Sequence, residues 1–144
     1  MKTKQFLLLL SMAVGLVTNA QSTDKWTICV NKKKISTGTL ESPGTATIST
    51  ASKGKFTVRY SGTGKNDKKR SILIFDTERH ELLRKDIANG FGKFTFNIDS
   101  LKAKTNGRTF KIYTVGIPKN PEEAALVRMA PMLLCDVSWK ETVE

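Results

Sequence analysis

Short runs of alternating apolar and polar residues, turn residues recurring about every 8 to 12 positions, and the near absence of helical periodicity predict an all-β chain. The expected architecture is an Ig-like antiparallel β-sandwich of eight to nine strands with one or two short helical turns. Of the 144 residues, positions 1–20 read as a leader and 21–144 as one sandwich domain. That length suffices for a core hiding roughly two thirds of the surface of the unfolded chain.

In the first strand Trp26, Ile28 and Val30 alternate with Lys25, Thr27 and Cys29, and Asn31-Lys32-Lys33 forms its turn. Ile35 opens a second extended piece that stops before the breakers Glu41-Ser42-Pro43-Gly44, and a third runs through Ala46, Ile48 and Thr50. Lys55 to Tyr60 is the cleanest strand, Phe56, Val58 and Tyr60 pointing one way. Residues 61–70, polar and glycine-containing, predict an exposed loop. Ser71 to Asp76 is apolar on both faces, which suits a strand inside a sheet covered on both sides.

Thr77-Glu78-Arg79-His80 turns the chain into Glu81–Ile87, completing a hairpin. After the turn at Asn89-Gly90, Phe94, Phe96 and Ile98 share a face. Asp99 or Ser100 is expected to cap a short helical turn that Asn106-Gly107 closes in the left-handed region. Thr109 to Ile117 returns to strand, with either face able to enter the core. Asn120-Pro121-Glu122-Glu123 combines a capping Asn, a proline at the first helical position and two acids at the positive end of the dipole, so one or two helical turns follow. In the terminal strand Leu133, Cys135, Val137 and Trp139 share the apolar parity.

The leader has a basic start in Lys2 and Lys4, an apolar stretch from Phe6 to Val17 and a small-residue exit at Asn19-Ala20. It predicts export, to the periplasm or beyond the cell, and no transmembrane segment in the mature chain. Removing Lys2 and Lys4 lowers the formal charge from +11 to about +9. The remaining cations are spread along the chain, densest at Lys32, Lys33 and Lys34 and at Lys65, Lys68, Lys69 and Arg70. Basic loops suit an anionic glycan, a lipid headgroup or an acidic protein partner; they also serve plain solubility and edge protection. Nucleic acid is disfavoured by export, and the aromatics beside the second cluster, Phe56, Tyr60 and Phe75, fall on the expected core parity.

Export permits disulfide chemistry, and the mature chain holds Cys29 and Cys135. A bridge would close a loop worth about 4.7 kcal/mol in the chain-entropy model. Yet Cys29 lies opposite the apolar parity of its strand and Cys135 on that of its own, so two independent thiols are the alternative. No metal spacing or cofactor motif is present: His80 is the lone histidine, and Glu78, His80 and Glu81 read as a charged turn rather than a cation site. Gly62-x-Gly64-Lys65 lacks Walker spacing, and Ser22-x-x-Lys25 lies in a terminus with nothing to preorganise it. Acid pairs such as Asp76 with Glu78, or Asp86 with Asp99, would serve a hydrolase acting on envelope carbohydrate only if the fold brought two of them to about 5 to 9 Å.

Asn19-Ala20-Gln21, the strand Trp26 to Lys33, the segment Lys111 to Pro118 and the ending Leu133 to Trp139 together look like small exported proteins of Bacteroidota. The resemblance implies a compact β-sandwich in the periplasm or outside the cell and transfers no site residues. Within it, Asp99-Ser100-Leu101 is similar to the O-glycosylation acceptor of exported proteins in that phylum, which would place a glycan on Ser100. The function expected from the whole reading is a non-enzymatic binding or envelope-associated module acting through its basic loops; a third reading is a subunit that donates or accepts a strand, with Lys25 to Val30 or Leu133 to Trp139 as the exposed edges.

Overall fold

The computed structural model describes residues 24–62, 67–127 and 129–142. The leader, Ser22 and Lys65 lie outside them. Nine strands occur in the order β1 (Lys25–Val30), β2 (Lys33–Thr39), β3 (Gly44–Ser49), β4 (Lys55–Ser61), β5 (Lys68–Phe75), β6 (Glu81–Ile87), β7 (Gly92–Asn97), β8 (Phe110–Pro118) and β9 (Met132–Lys140). Two short helices, α1 (Ile98–Thr105) and α2 (Pro121–Leu126), precede and follow β8. The strands form a four-stranded sheet, β2-β1-β4-β7, and a five-stranded one, β3-β9-β8-β5-β6. All pairings are antiparallel except β3 with β9, so the second sheet is mixed.

Alternation in β1, β4 and β7 places Trp26, Ile28, Phe56, Val58, Tyr60, Phe94 and Phe96 in one core with Ile72, Ile74, Phe110, Ile112 and Val137 from the opposite sheet. This settles β8, which turns Phe110 and Ile112 inward and leaves Tyr113 half-buried on the outer face. Trp26 closes the sandwich where β2 meets β3. Its indole lies over Gly38 and Gly44, where an added Cβ would come within 2.5 and 2.6 Å of the ring, and its Nε1 donates to the Thr39 carbonyl at 3.0 Å. Ile98 and Leu101 of α1 plug the end of the core nearest the β1–β2 turn.

Four features depart from the sequence reading. Lys68–Arg70 are strand rather than loop, paired with Pro118, Ile117 and Gly116 of β8; ladder hydrogen bonds outweigh their polar composition. The cap of α1 is Asn97, whose Oδ1 accepts the Ser100 N–H at 3.1 Å, not Asp99 or Ser100. In β9, a bulge opposite Ile112 and Tyr113 shifts the register, so Leu134 is buried while Leu133 sits opposite Tyr113. Finally, β1 and β9 are interior strands, so neither offers the free edge that strand exchange would use. The closing left-handed Asn106 and the Asn120 cap of α2 agree with expectation.

Candidate functional site

The two basic clusters do not form one surface. Lys33 is level with Val30, which pairs with Phe56 at the start of β4. Lys68 begins β5 after the chain has run the length of β4. Roughly 20 Å of strand therefore separates the clusters, which lie at opposite ends of the sandwich. Lys32, Lys33 and Lys34 are exposed, as are Lys68 and Lys69.

Arg70, unlike the lysines before it, is buried. It is 7% exposed, with its guanidinium 4.0 Å from the centroid of the Tyr60 ring. Its Nε donates to the Gly90 carbonyl at 2.6 Å and its Nη1 to Thr114 Oγ1 at 2.9 Å. Tyr60 in turn donates to Asp24 Oδ2 at 2.9 Å and stacks on Phe91. Burial raises the Tyr60 hydroxyl well above the ordinary phenol range, with Arg70 opposing. A cation with fixed acceptors and an aromatic seat closes this end of the core.

The exposed charge instead gathers on the outer face of the four-stranded sheet. There the register places Lys25, Lys34, Lys55, Arg59 and Lys93, and strands β1, β2, β4 and β7 hold not one carboxylate; Lys33, opposite Val30, is on the inner parity at the end of the sheet. Arg59 lies directly opposite Lys93 across β4 and β7, a like-charge pair that weakens a sheet. Thr27, Thr57 and Thr95 add hydroxyl-bearing side chains at the same registers. A recess of about 230 Å³ opens among Cys29, Asn31, Lys32, Lys55, Thr57, Arg59 and Lys93.

Its rim is rigid. Asn31 Oδ1 accepts the Lys55 N–H at 2.9 Å, and Asn31 Nδ2 donates to the Lys53 carbonyl at 2.6 Å. Asn31 and Lys32 form the two-residue β1–β2 turn with φ of 48° and 72°. Glycine is the usual second residue of such a turn; lysine occupies the strained position and projects its charge at the recess.

Both cysteines are free thiols. Cys29 lies on this outer face, although only 4% exposed, while Cys135 belongs to the core of the other sheet. Opposite parities, visible in the alternation, keep them apart. Burial pushes the Cys135 thiol up to about 12, against a lowering contact from Ser36.

The acid pairs fare differently from one another. Asp76 and Glu78 do come together, sharing a recess of about 110 Å³ with Lys104 and Arg108, well under the roughly 300 Å³ of small ligand sites. Asp76 is occupied in building its turn: Oδ1 accepts the N–H groups of Glu78 and His80, and Oδ2 holds His80 Nδ1 at 2.9 Å. Asp76, Glu78 and His80 form the one acid–histidine group of metal-binding spacing among the described residues. Glu81 is not in it, being held by Arg84 through two contacts of 2.9 Å. Asp86 of β6 accepts from Ser71 Oγ of β5, and Asp99 sits in the first turn of α1. Ser100 is exposed in that same turn. Among the described residues no helix is long and apolar enough to cross a membrane.

No protein-family model, no curated protein and no solved structure matches this chain. The sequence reading located cations one at a time and missed the face they share, because only strand order brings β1, β2, β4 and β7 side by side. Absence of acid was no signal by itself, since β3, β5 and β8 lack acids as well and only β6 and β9 carry them.

Proposed function

We propose that this protein is an exported, non-enzymatic binding module that holds an anionic polysaccharide against the outer face of its four-stranded sheet. The observation that carries the reading is the gathering of five cations, Lys25, Lys34, Lys55, Arg59 and Lys93, on the outer face of four neighbouring strands that hold no acid. An extended polymer suits a flat sheet. Lys55 and Arg59 stand roughly 13 Å apart along β4, with Lys93 beside Arg59, so successive acidic groups of one chain meet successive cations. A bound anion relieves the Arg59–Lys93 repulsion, which ties affinity to a cost already present in the free protein. The division of β4 and β7 from β5, β8 and β9 also supports an Ig-like reading of the sandwich, in which B and E face C, F and G.

Retention on an immobilised sulfated polysaccharide across a salt gradient tests this. Wild type should elute late, and the Arg59→Ala/Lys93→Ala variant markedly earlier, since exposed charges act through a screened field. Lys68→Ala/Lys69→Ala should elute as wild type. The reverse order would move the site to the start of β5 and reject the sheet face. Lys32→Gly separates binding from folding: it should raise stability by about 1 kcal/mol by relieving a left-handed backbone, yet weaken retention.

A further inference from the structure

We infer that the opposite face, on the five-stranded sheet, carries a second and chemically different site that takes a carboxylate borne on a sugar ring, as in a uronic-acid residue of a glycan. With Ile72 and Ile74 of β5 in the core, alternation turns Phe75 outward, against the core position expected from sequence. There it meets Tyr113 edge to face, with ring centroids 5.2 Å apart at 74°. Together with Pro131 and Arg79 they line a recess of about 320 Å³, within the usual size range of small-ligand sites. The floor is therefore aromatic and half-buried, with Leu73 fully buried beside it, opposite Tyr113 in the ladder.

Arg79 supplies the charge. It is exposed and makes no ion pair among the described residues, unlike Arg84 and Lys111 on the same sheet. Its backbone is held at φ 69° by the Asp76 turn, an unfavourable geometry for a non-glycine residue. The acids of that turn open onto a different recess, with Lys104 and Arg108, so they do not line the one beside Arg79. A pyranose ring has an apolar C–H face that lies on an aromatic ring, and a guanidinium pairs a carboxylate through two parallel hydrogen bonds. An aromatic floor with one unpaired guanidinium at its lip matches a ligand with both features. A neutral sugar would leave the guanidinium unused, and a simple anion would leave the rings unused.

The test is amide-resolved NMR titration of the folded protein with tetragalacturonate and, separately, with a neutral galactose tetramer. The expected result is uronate-dependent shifts at Phe75, Arg79 and Tyr113, and much weaker response to the neutral tetramer. Arg79→Ala should lower affinity about tenfold or more, as loss of a charged hydrogen bond does, with partial recovery in Arg79→Lys. Tyr113→Ala should lower it about fivefold while the amide spectrum stays dispersed. Arg59→Ala/Lys93→Ala should leave these shifts unchanged, whatever happens to retention on a sulfated polymer. Equal binding of the two tetramers, an unaffected Arg79→Ala variant, or shifts confined to Lys55, Arg59 and Lys93 would each overturn the assignment.

Discussion

Arg70 shows how far a residue's role can depart from its neighbourhood in sequence. It follows two exposed lysines, but its position on β5 turns it toward the core edge, where Tyr60, Gly90 and Thr114 satisfy it. Replacing it with Ala would remove two buried charged hydrogen bonds, to Gly90 and Thr114, and a desolvated cation–π contact. We expect Arg70→Ala to lose about 3 kcal/mol in urea unfolding, against under 0.5 kcal/mol for Lys69→Ala; equal effects would place Arg70 at the surface after all. The Asp76–His80 pair makes a prediction about pH. The Asp76 carboxylate, by hydrogen bond first and charge second, raises His80 above the ordinary 6.5. Asp76 is lowered, chiefly by the N–H of His80. His80 therefore adds stability that is complete below about pH 6.5 and lost as pH rises through its raised value. Asp76 adds stability present above the ordinary carboxylate range and lost as pH falls through its lowered one. Both groups are exposed, so the effect on unfolding is small and the titration itself is the measurement: Asp76→Asn should return the His80 midpoint toward 6.5.

At the scale of elements, α1 is the sharpest test of local reading. Asp99-Ser100 looks like a cap, but Asn97 is extended at φ −77° and ψ 132° and takes the role, with Asp99 left in the first turn. Asn97→Ala should cost about 1 kcal/mol in thermal or urea unfolding, and Ser100→Ala almost nothing; the opposite ranking would move the helix start. An exposed Ser100 hydroxyl that caps nothing also suits the glycan reading, which intact-mass comparison of native material with its Ser100→Ala variant decides. Period-two alternation made β1, β4 and β7 legible because each has one wet face. It misplaced Leu133 and Leu134 because a bulge is a property of the partner strand as well. It hid the strand character of Lys68–Arg70 because their partners on β8, Pro118, Ile117 and Gly116, lie about fifty residues further along the chain. The candidate face was illegible for the same reason: individual lysines are local, but which strands become neighbours is not.

For the whole molecule the balance of charge is the governing quantity. Among the described residues the carboxylate partners in ion pairs are Asp76, Glu78, Glu81 and Asp136, while the sheet of β1, β2, β4 and β7 has no acid in its strands. Self-repulsion of a chain of formal charge +11 then outweighs attraction, and screening it should stabilise the fold. Raising sodium chloride from about 10 mM to about 500 mM, a change in Debye length from roughly 30 Å to under 8 Å, should lift the Tm by a few degrees. At this domain size about 1 kcal/mol corresponds to roughly 3 to 5 °C. The Arg59→Ala/Lys93→Ala variant, freed of one opposed pair, should start from a higher Tm at low salt and gain less on adding it. A Tm that falls with salt would show that the surface ion pairs dominate instead. A salt response identical in the variant would show that the repulsion is spread over the molecule, and the sheet face would lose its claim to be a concentrated cationic surface.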